Sequence, residues 1–164
     1  MGLSVHTELA VMNWPPKADI LIIRRQQQAL WTTAQLERLP DGVRDSQASH
    51  ILLEFKYTES LTAKASRQAL AYDLFYKQTQ ELADSDVQTV LLCAKQPWAS
   101  HLKKYGYVKT SLPGVYRSDW YAWLPPVILL SLNELSDAPQ NAWVKCFASQ
   151  LKEKRKAFTL LQPL

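Results

Sequence analysis

Hydrophobic and polar positions follow two different periods along this chain. Short apolar runs bounded by turn residues predict strands at about 19–24, 50–57 and 87–94. Between the last two, apolar residues recur every three to four positions from Ser60 to about Ala83, which predicts a long helix. A strand–helix–strand unit implies parallel strands joined by a crossover. We therefore predict an α/β protein with a mixed central sheet flanked by helices.

The remaining elements are predicted to be shorter. "TTAQLERL" favours a helix capped by Thr32 or Thr33, and "LPDGVRDS" favours a turn. "GYVKT", "GVYRS", "WYAWL" and "PPVILLSL" predict extended segments punctuated by Gly and Pro. The C-terminal sequence predicts one closing helix that begins near Asn141.

Composition fits one domain with a packed core. The chain has 164 residues, of which 47% are hydrophobic and 21% charged. We assign 1–164 to a single domain, with a core at about 15–95 and a C-terminal β region and helix at about 96–164. A formal charge of +4 permits a nucleic-acid partner without demonstrating one.

Targeting and membrane signals are not recognisable in the sequence. The N-terminus lacks a basic region followed by a long apolar run, so we predict no signal peptide. The longest apolar stretch, "WYAWLPPVILLSL", is too short to span a bilayer and contains two prolines. Cys93 and Cys146 are predicted to be reduced thiols. We expect a cytoplasmic protein with no membrane partner.

The strand "HILLEFKYTES" raises the question of chemistry. Glu54 and Lys56 point to the same face, because side chains alternate along a strand. Taken alone, this pair is typical of a solvated end of an edge strand. The opposite face is predicted to be core and carries Ile51, Leu53, Phe55 and Tyr57.

Two further features favour a functional interpretation. Asp19 opens the apolar run "DILII", and if the two strands pair, Asp19 and Glu54 converge on one divalent cation. The carbonyl of Phe55 would supply another oxygen ligand. On the following helix, Gln68 and Tyr72 are four residues apart and share one helix face.

In this order, Asp19, Glu54-Phe55-Lys56, Gln68 and Tyr72 resemble the motifs of the PD-(D/E)xK nuclease superfamily. "QALAY" is similar to the Gln-x-x-x-Tyr motif of its RecB-like branch. The chain also resembles Rpn-like, transposase-associated proteins, which are uncharacterised and often cyanobacterial. The motif-bearing resemblance covers about residues 15–95. It implies a restriction-endonuclease-like mixed sheet flanked by helices.

The resemblance implies metal-dependent hydrolysis of phosphodiester bonds, of DNA in preference to RNA. Mg²⁺ or Mn²⁺ would be held by Asp19, Glu54 and the Phe55 carbonyl. Lys56 would stabilise the nucleophile and the growing negative charge, and Gln68 would position water or the DNA backbone. Tyr72 would either pack below Gln68 or contact phosphate, and Arg67, next to Gln68, is a candidate for a phosphate contact.

The first acid of the motif has two candidates. The family often has Pro before this Asp, whereas Ala18 precedes Asp19; the literal Pro-Asp pair is Pro40-Asp41. We favour Asp19 because it opens an apolar strand, while Asp41 precedes a glycine in a predicted turn. Glu8 is the candidate for the Glu that the family's first helix often carries.

Two other functions compete with the nuclease. One is a catalytically inactive nuclease-fold module that binds nucleic acid or protein. The other is a structural homo-oligomer, such as a homodimer, with the Trp-rich C-terminal half as its interface. With only four glycines, a dinucleotide-binding fingerprint is excluded.

Overall fold

The computed structural model describes residues 4–7, 20–24, 30–57, 60–120 and 124–161. Within them, seven strands form one sheet in the order β1-β2-β3-β4-β7-β6-β5. The strands are β1 (Ser4–Thr7), β2 (Ile20–Arg24), β3 (His50–Lys56), β4 (Val87–Cys93), β5 (Tyr107–Lys109), β6 (Val115–Ser118) and β7 (Ile128–Ser131). The helices are α1 (Thr33–Leu36), α2 (Ala63–Gln80), α3 (Ala99–Lys104), α4 (Ala142–Lys145) and α5 (Leu151–Leu161). Two 3₁₀ turns span Asp84–Asp86 and Pro139–Asn141.

Strand β3 lies in the interior of the sheet. It pairs antiparallel with β2 on one side and parallel with β4 on the other. The predicted mixed sheet is therefore confirmed. The interpretation of Glu54 and Lys56 as the solvated end of an edge strand is wrong, because both edges of β3 are hydrogen-bonded and Glu54 is only 1% exposed.

Helix α2 crosses from β3 to β4 over one face of the sheet, as the periodicity predicted. Thr62 caps it by accepting a hydrogen bond from the Ala65 N–H. Its apolar side packs on the sheet, where Tyr72 and Tyr76 cluster with Leu52 of β3. This face also carries Glu54.

The opposite face of the sheet holds the larger core. Ile51 and Leu53 of β3 pack there against Val90 of β4 and Val144 of α4. Phe55 is half-buried at the margin of this cluster, as its position on the same face predicts. Tyr57, predicted to be core, is instead 51% exposed because β3 ends at Lys56.

The C-terminal region continues the same sheet, since β7 pairs parallel with β4. The prediction of one helix from near Asn141 is wrong: α4 ends at Lys145 and α5 begins at Leu151. Between them, the Ser149 N–H donates to the Ala94 carbonyl at 3.0 Å, and the Gln150 N–H donates to Asn133 Oδ1 at 3.1 Å. These bonds divert the backbone donors that a continuous helix would use.

Other predictions have mixed outcomes. The helix capped by Thr32 and the strands at 107–109, 115–118 and 128–131 are confirmed. Residues 121–123 of "WYAWL" lie outside the described residues. Strand β1 and helix α3 were not predicted. None of the helices in the described part of the chain is long and apolar enough to cross a membrane.

Candidate functional site

A charged pair lies between β3 and α2. Lys56 Nζ donates a hydrogen bond to Glu54 Oε1 at 2.5 Å, and the Lys56 side chain is 14% exposed. Burying a carboxylate requires a charged or hydrogen-bonding partner, and Lys56 provides both for Glu54. The alternation of strand side chains brings the two groups to the same face, as predicted.

Gln68 joins this pair from the helix. Lys56 Nζ donates a second hydrogen bond, to Gln68 Oε1 at 3.0 Å. The ammonium group is therefore fixed between a carboxylate on β3 and an amide on α2. Lys56 thus contacts both Glu54 and Gln68, two residues predicted to act with it.

Tyr72 lies one helical turn beyond Gln68 and is 6% exposed. Burial and the negative charge of Glu54 raise the pKa of the Tyr72 hydroxyl. Because the shift is upward from the ordinary value of 10.0, the Tyr72 hydroxyl stays protonated at physiological pH. Its burial favours packing beneath the pair over an exposed phosphate contact.

Arg67 and Phe55 contribute differently from the three central residues. Arg67 is exposed, and its Nε donates to the Ala63 carbonyl at 3.2 Å. The Phe55 ring lies on the opposite face of β3, where its centroid is 5.2 Å from that of Phe147. Any role of Phe55 at the site is thus restricted to its main-chain carbonyl.

Asp19, the preferred first acid, lies outside the described residues, as does Glu8. The neighbouring residue Ile20 is described, and its Cα pairs with that of Glu54 in the β2–β3 register. The two strands therefore pair as the prediction required, but Ile20 holds the position opposite Glu54 on the same face, so this register does not itself bring an acid to Glu54.

Asp41, the alternative first acid, belongs to a different cluster. Its carboxylate accepts hydrogen bonds from Ser136 Oγ at 2.9 Å, Gln140 Nε2 at 2.8 Å and Asn141 Nδ2 at 2.8 Å. Burial raises the pKa of Asp41, but these hydrogen bonds outweigh it and the net pKa is lowered. Its neighbours Leu39 and Val43 pack on the sheet face opposite Glu54. The structure therefore does not bring Asp41 to the Glu54 pair.

Two side chains with oxygen ligands, Glu54 and Gln68, contact the Lys56 ammonium. Glu54 offers carboxylate oxygens and Gln68 an amide oxygen, the ligand types that Mg²⁺ and Mn²⁺ prefer. Among the described residues, no three His, Cys, Asp or Glu side chains cluster closely enough to form a metal site. Asp19 falls outside that set.

A basic and aromatic cleft beside Arg67 was not predicted. Lys103 and Lys104 of α3 line it together with Trp120. The segment "HLKKYGY", in which two consecutive lysines precede two tyrosines, is the sequence signal that could have identified it.

Comparison with known proteins adds no family assignment. No protein-family model, no curated protein and no solved structure matches this chain.

Proposed function

We propose that this protein is a metal-dependent nuclease that hydrolyses phosphodiester bonds, with DNA as the preferred substrate. The observation that carries the proposal is the contact of Lys56 with both Glu54 and Gln68. A carboxylate, an ammonium and an amide from three motif positions meet in one place. A mixed sheet with helices on both faces agrees with the restriction-endonuclease-like architecture that the motifs imply.

Each residue of the proposed site would have a separate role in the reaction. Glu54, with Asp19, would hold Mg²⁺ or Mn²⁺. A divalent cation bound there would polarise the phosphate and lower the pKa of a bound water. Lys56 would face the charge that develops on the phosphate, and its position is fixed before substrate arrives. Gln68 would orient Lys56 through the 3.0 Å hydrogen bond.

Lys56 is well suited to a charge-stabilising role because it is constrained. Most of its side chain is buried and two partners hold its ammonium, so little reorganisation is needed when charge develops. An exposed lysine would first have to lose its mobility and its hydration. The inactive nuclease-fold module remains the competing proposal, since the same ion pair also stabilises the fold.

The test is cleavage of plasmid and linear DNA by purified protein with Mg²⁺ or Mn²⁺, against the same reactions in EDTA. We expect cleavage only with metal, and its loss in Glu54→Gln. Glu37→Gln is the matched control, because Glu37 is an exposed carboxylate at the end of α1. Circular dichroism verifies that each variant is folded.

Two outcomes count against the nuclease. One is the absence of cleavage by folded parent protein with either metal on DNA and RNA. The other is a Glu54→Gln variant that cleaves as fast as the parent. Nucleic-acid binding without any cleavage would favour the inactive module.

A further inference from the structure

A cleft of about 720 Å³ opens between the first turns of α2, helix α3 and the segment after β6. This volume lies within the range of clefts that bind small ligands, roughly 300–1,000 Å³. Its cations are Arg67, Lys103 and Lys104, all exposed, and they face a single lining carboxylate, Asp119. The cleft is therefore suited to an anionic ligand.

The cleft also has a fixed aromatic wall. Trp120 is half-buried, and its Nε1–H donates to the Tyr105 carbonyl at 2.7 Å. Its ring packs edge-on against buried Tyr107, with 5.7 Å between centroids. Gly106 has a φ of +65°, and a Cβ there would lie 2.8 Å from Trp120 Cδ1. The indole thus occupies space that only a glycine leaves open.

The cleft adjoins the proposed catalytic residues. Arg67 lines it, and the next residue in α2 is Gln68, which contacts Lys56. The cleft therefore lies within one turn of α2 from the residue that contacts Lys56. A nucleic-acid strand whose scissile phosphate lies at Lys56 would pass Arg67 and enter the cleft.

We propose that this cleft binds an unpaired nucleotide of the substrate strand next to the cleavage position. Arg67, Lys103 and Lys104 contact phosphates, and a base stacks against the exposed part of Trp120. Stacking on an aromatic side chain requires a base that is free of its duplex partner. The proposal rests on the nuclease function and specifies its substrate class as single-stranded nucleic acid, or a duplex with a single-stranded end.

Binding in EDTA tests the cleft without any cleavage. The probes are a fluorescein-labelled oligothymidine of about 12 nucleotides and a blunt duplex of equal length, followed by anisotropy at about 50 mM salt. We expect the parent to bind the single strand at least about tenfold more tightly than the duplex. The double variant Lys103→Glu/Lys104→Glu should lose at least about tenfold in single-strand affinity. A plot of the logarithm of the binding constant against the logarithm of salt concentration should become less steep, by roughly 0.7 in slope for each phosphate contact that is lost.

Trp120→Leu should reduce single-strand affinity by about tenfold, while Trp120→Phe should retain most of it. The control is Lys152→Glu/Arg155→Glu, which reverses two exposed charges on α5 and should not weaken binding beyond the general effect of net charge.

Because the lysines of α3 are exposed, their reversal tests the cleft even if Trp120→Leu fails to fold. Equal affinity for single strand and duplex, or an α3 double variant no weaker than the α5 control, would overturn the proposal. Single-strand binding by a protein that cleaves nothing would support the cleft and count against the nuclease.

Discussion

At the scale of single residues, the two aspartates proposed as first acid differ in their surroundings. Asp41 accepts three side-chain hydrogen bonds, and its N–H donates to Asn141 Oδ1 at 2.8 Å. It connects the loop before β3 to the 3₁₀ turn that precedes α4. This arrangement is typical of a buried carboxylate that stabilises a fold.

We therefore expect Asp41→Ala to lower the free energy of unfolding by about 2–3 kcal/mol, because buried donors lose a charged acceptor. The cleavage rate per folded molecule should change little. Asp19→Asn should abolish cleavage. Urea unfolding and DNA cleavage on both variants provide the comparison. Loss of cleavage in folded Asp41→Ala, with cleavage retained in Asp19→Asn, would reverse the assignment.

The reactivity of the Cys93 thiol measures how firmly β3 and β4 are paired next to the proposed site, because Cys93 pairs with Lys56 in the β3–β4 register. Burial raises the pKa of this thiol to about 12, while the nearby positive charge of Lys56 acts in the opposite direction. Since the thiolate is the reactive species, we expect Cys93 to be unreactive toward a disulfide reagent at pH 8 until the protein unfolds.

Measuring this reaction on Cys146→Ala isolates Cys93, since these are the two cysteines of the chain. Addition of urea should release one thiol at the rate of unfolding. Rapid labelling of Cys93 in the native variant would mean that β3 and β4 separate readily, and the site would then lack the rigidity proposed for Lys56.

At the scale of elements, the C-terminal helices are held together by a buried lysine. Lys145, 1% exposed, donates to Glu153 Oε2 at 2.8 Å, to Asp137 Oδ1 at 2.6 Å and to the Leu135 carbonyl at 2.7 Å. The hydrogen bond from Lys145 lowers the pKa of Glu153, against the effect of burial. Helix α5 is thereby fixed to α4 and to the turn before it.

We expect Glu153→Gln to cost about 1.5–2 kcal/mol at pH 7, because Lys145 loses one of its two carboxylate partners and keeps Asp137. The pKa of Glu153 is lower in the folded than in the unfolded protein. Its contribution is therefore complete above pH 4.5, its ordinary value, and is lost as pH falls through the lowered value. Urea unfolding should show a smaller difference between variant and parent at pH 3 than at pH 7. An equal difference at both values would contradict this assignment.

Elements with a clear hydrophobic period could be predicted from the sequence. Helix α2 and strands β3 and β4 have long apolar patterns, and the apolar residues of those patterns are largely the ones buried in the structure. The break between α4 and α5 could not be predicted, because it depends on Ala94 and Asn133, which are distant in sequence. Strand β1 depends in the same way on its pairing with β2.

At the scale of the whole molecule, the sheet explains why part of the site was predictable. Residues two apart on a strand, or four apart on a helix, lie on the same face of that element. The contact between Glu54 and Lys56 therefore follows from local geometry once the strand is known. The exposure of the pair does not follow, because it depends on which strands flank β3. The sequence suggested an edge, whereas the sheet order places β3 inside.

The cleft next to Arg67 was missed for a related reason. Its cations come from α2 and α3, and its aromatic wall follows β6. Arg67 precedes Lys103 by 36 residues, and Trp120 follows Lys104 by 16, with β5 and β6 between them. The three segments meet because β5 and β6 extend the sheet beyond β7. The hydrophobic period within each segment does not indicate that these three segments lie together.

The most direct measurement is the single-turnover rate of DNA cleavage with saturating Mn²⁺, compared between Lys56→Ala and Lys64→Ala. Lys64 is an exposed lysine on α2 and provides the charge-matched control. If Lys56 stabilises charge in the transition state, Lys56→Ala should cleave about 10²–10³-fold more slowly than the parent, by analogy with the loss of an oxyanion-hole donor. Lys64→Ala should match the parent. A folded Lys56→Ala variant that cleaves at the rate of Lys64→Ala would contradict the proposed site.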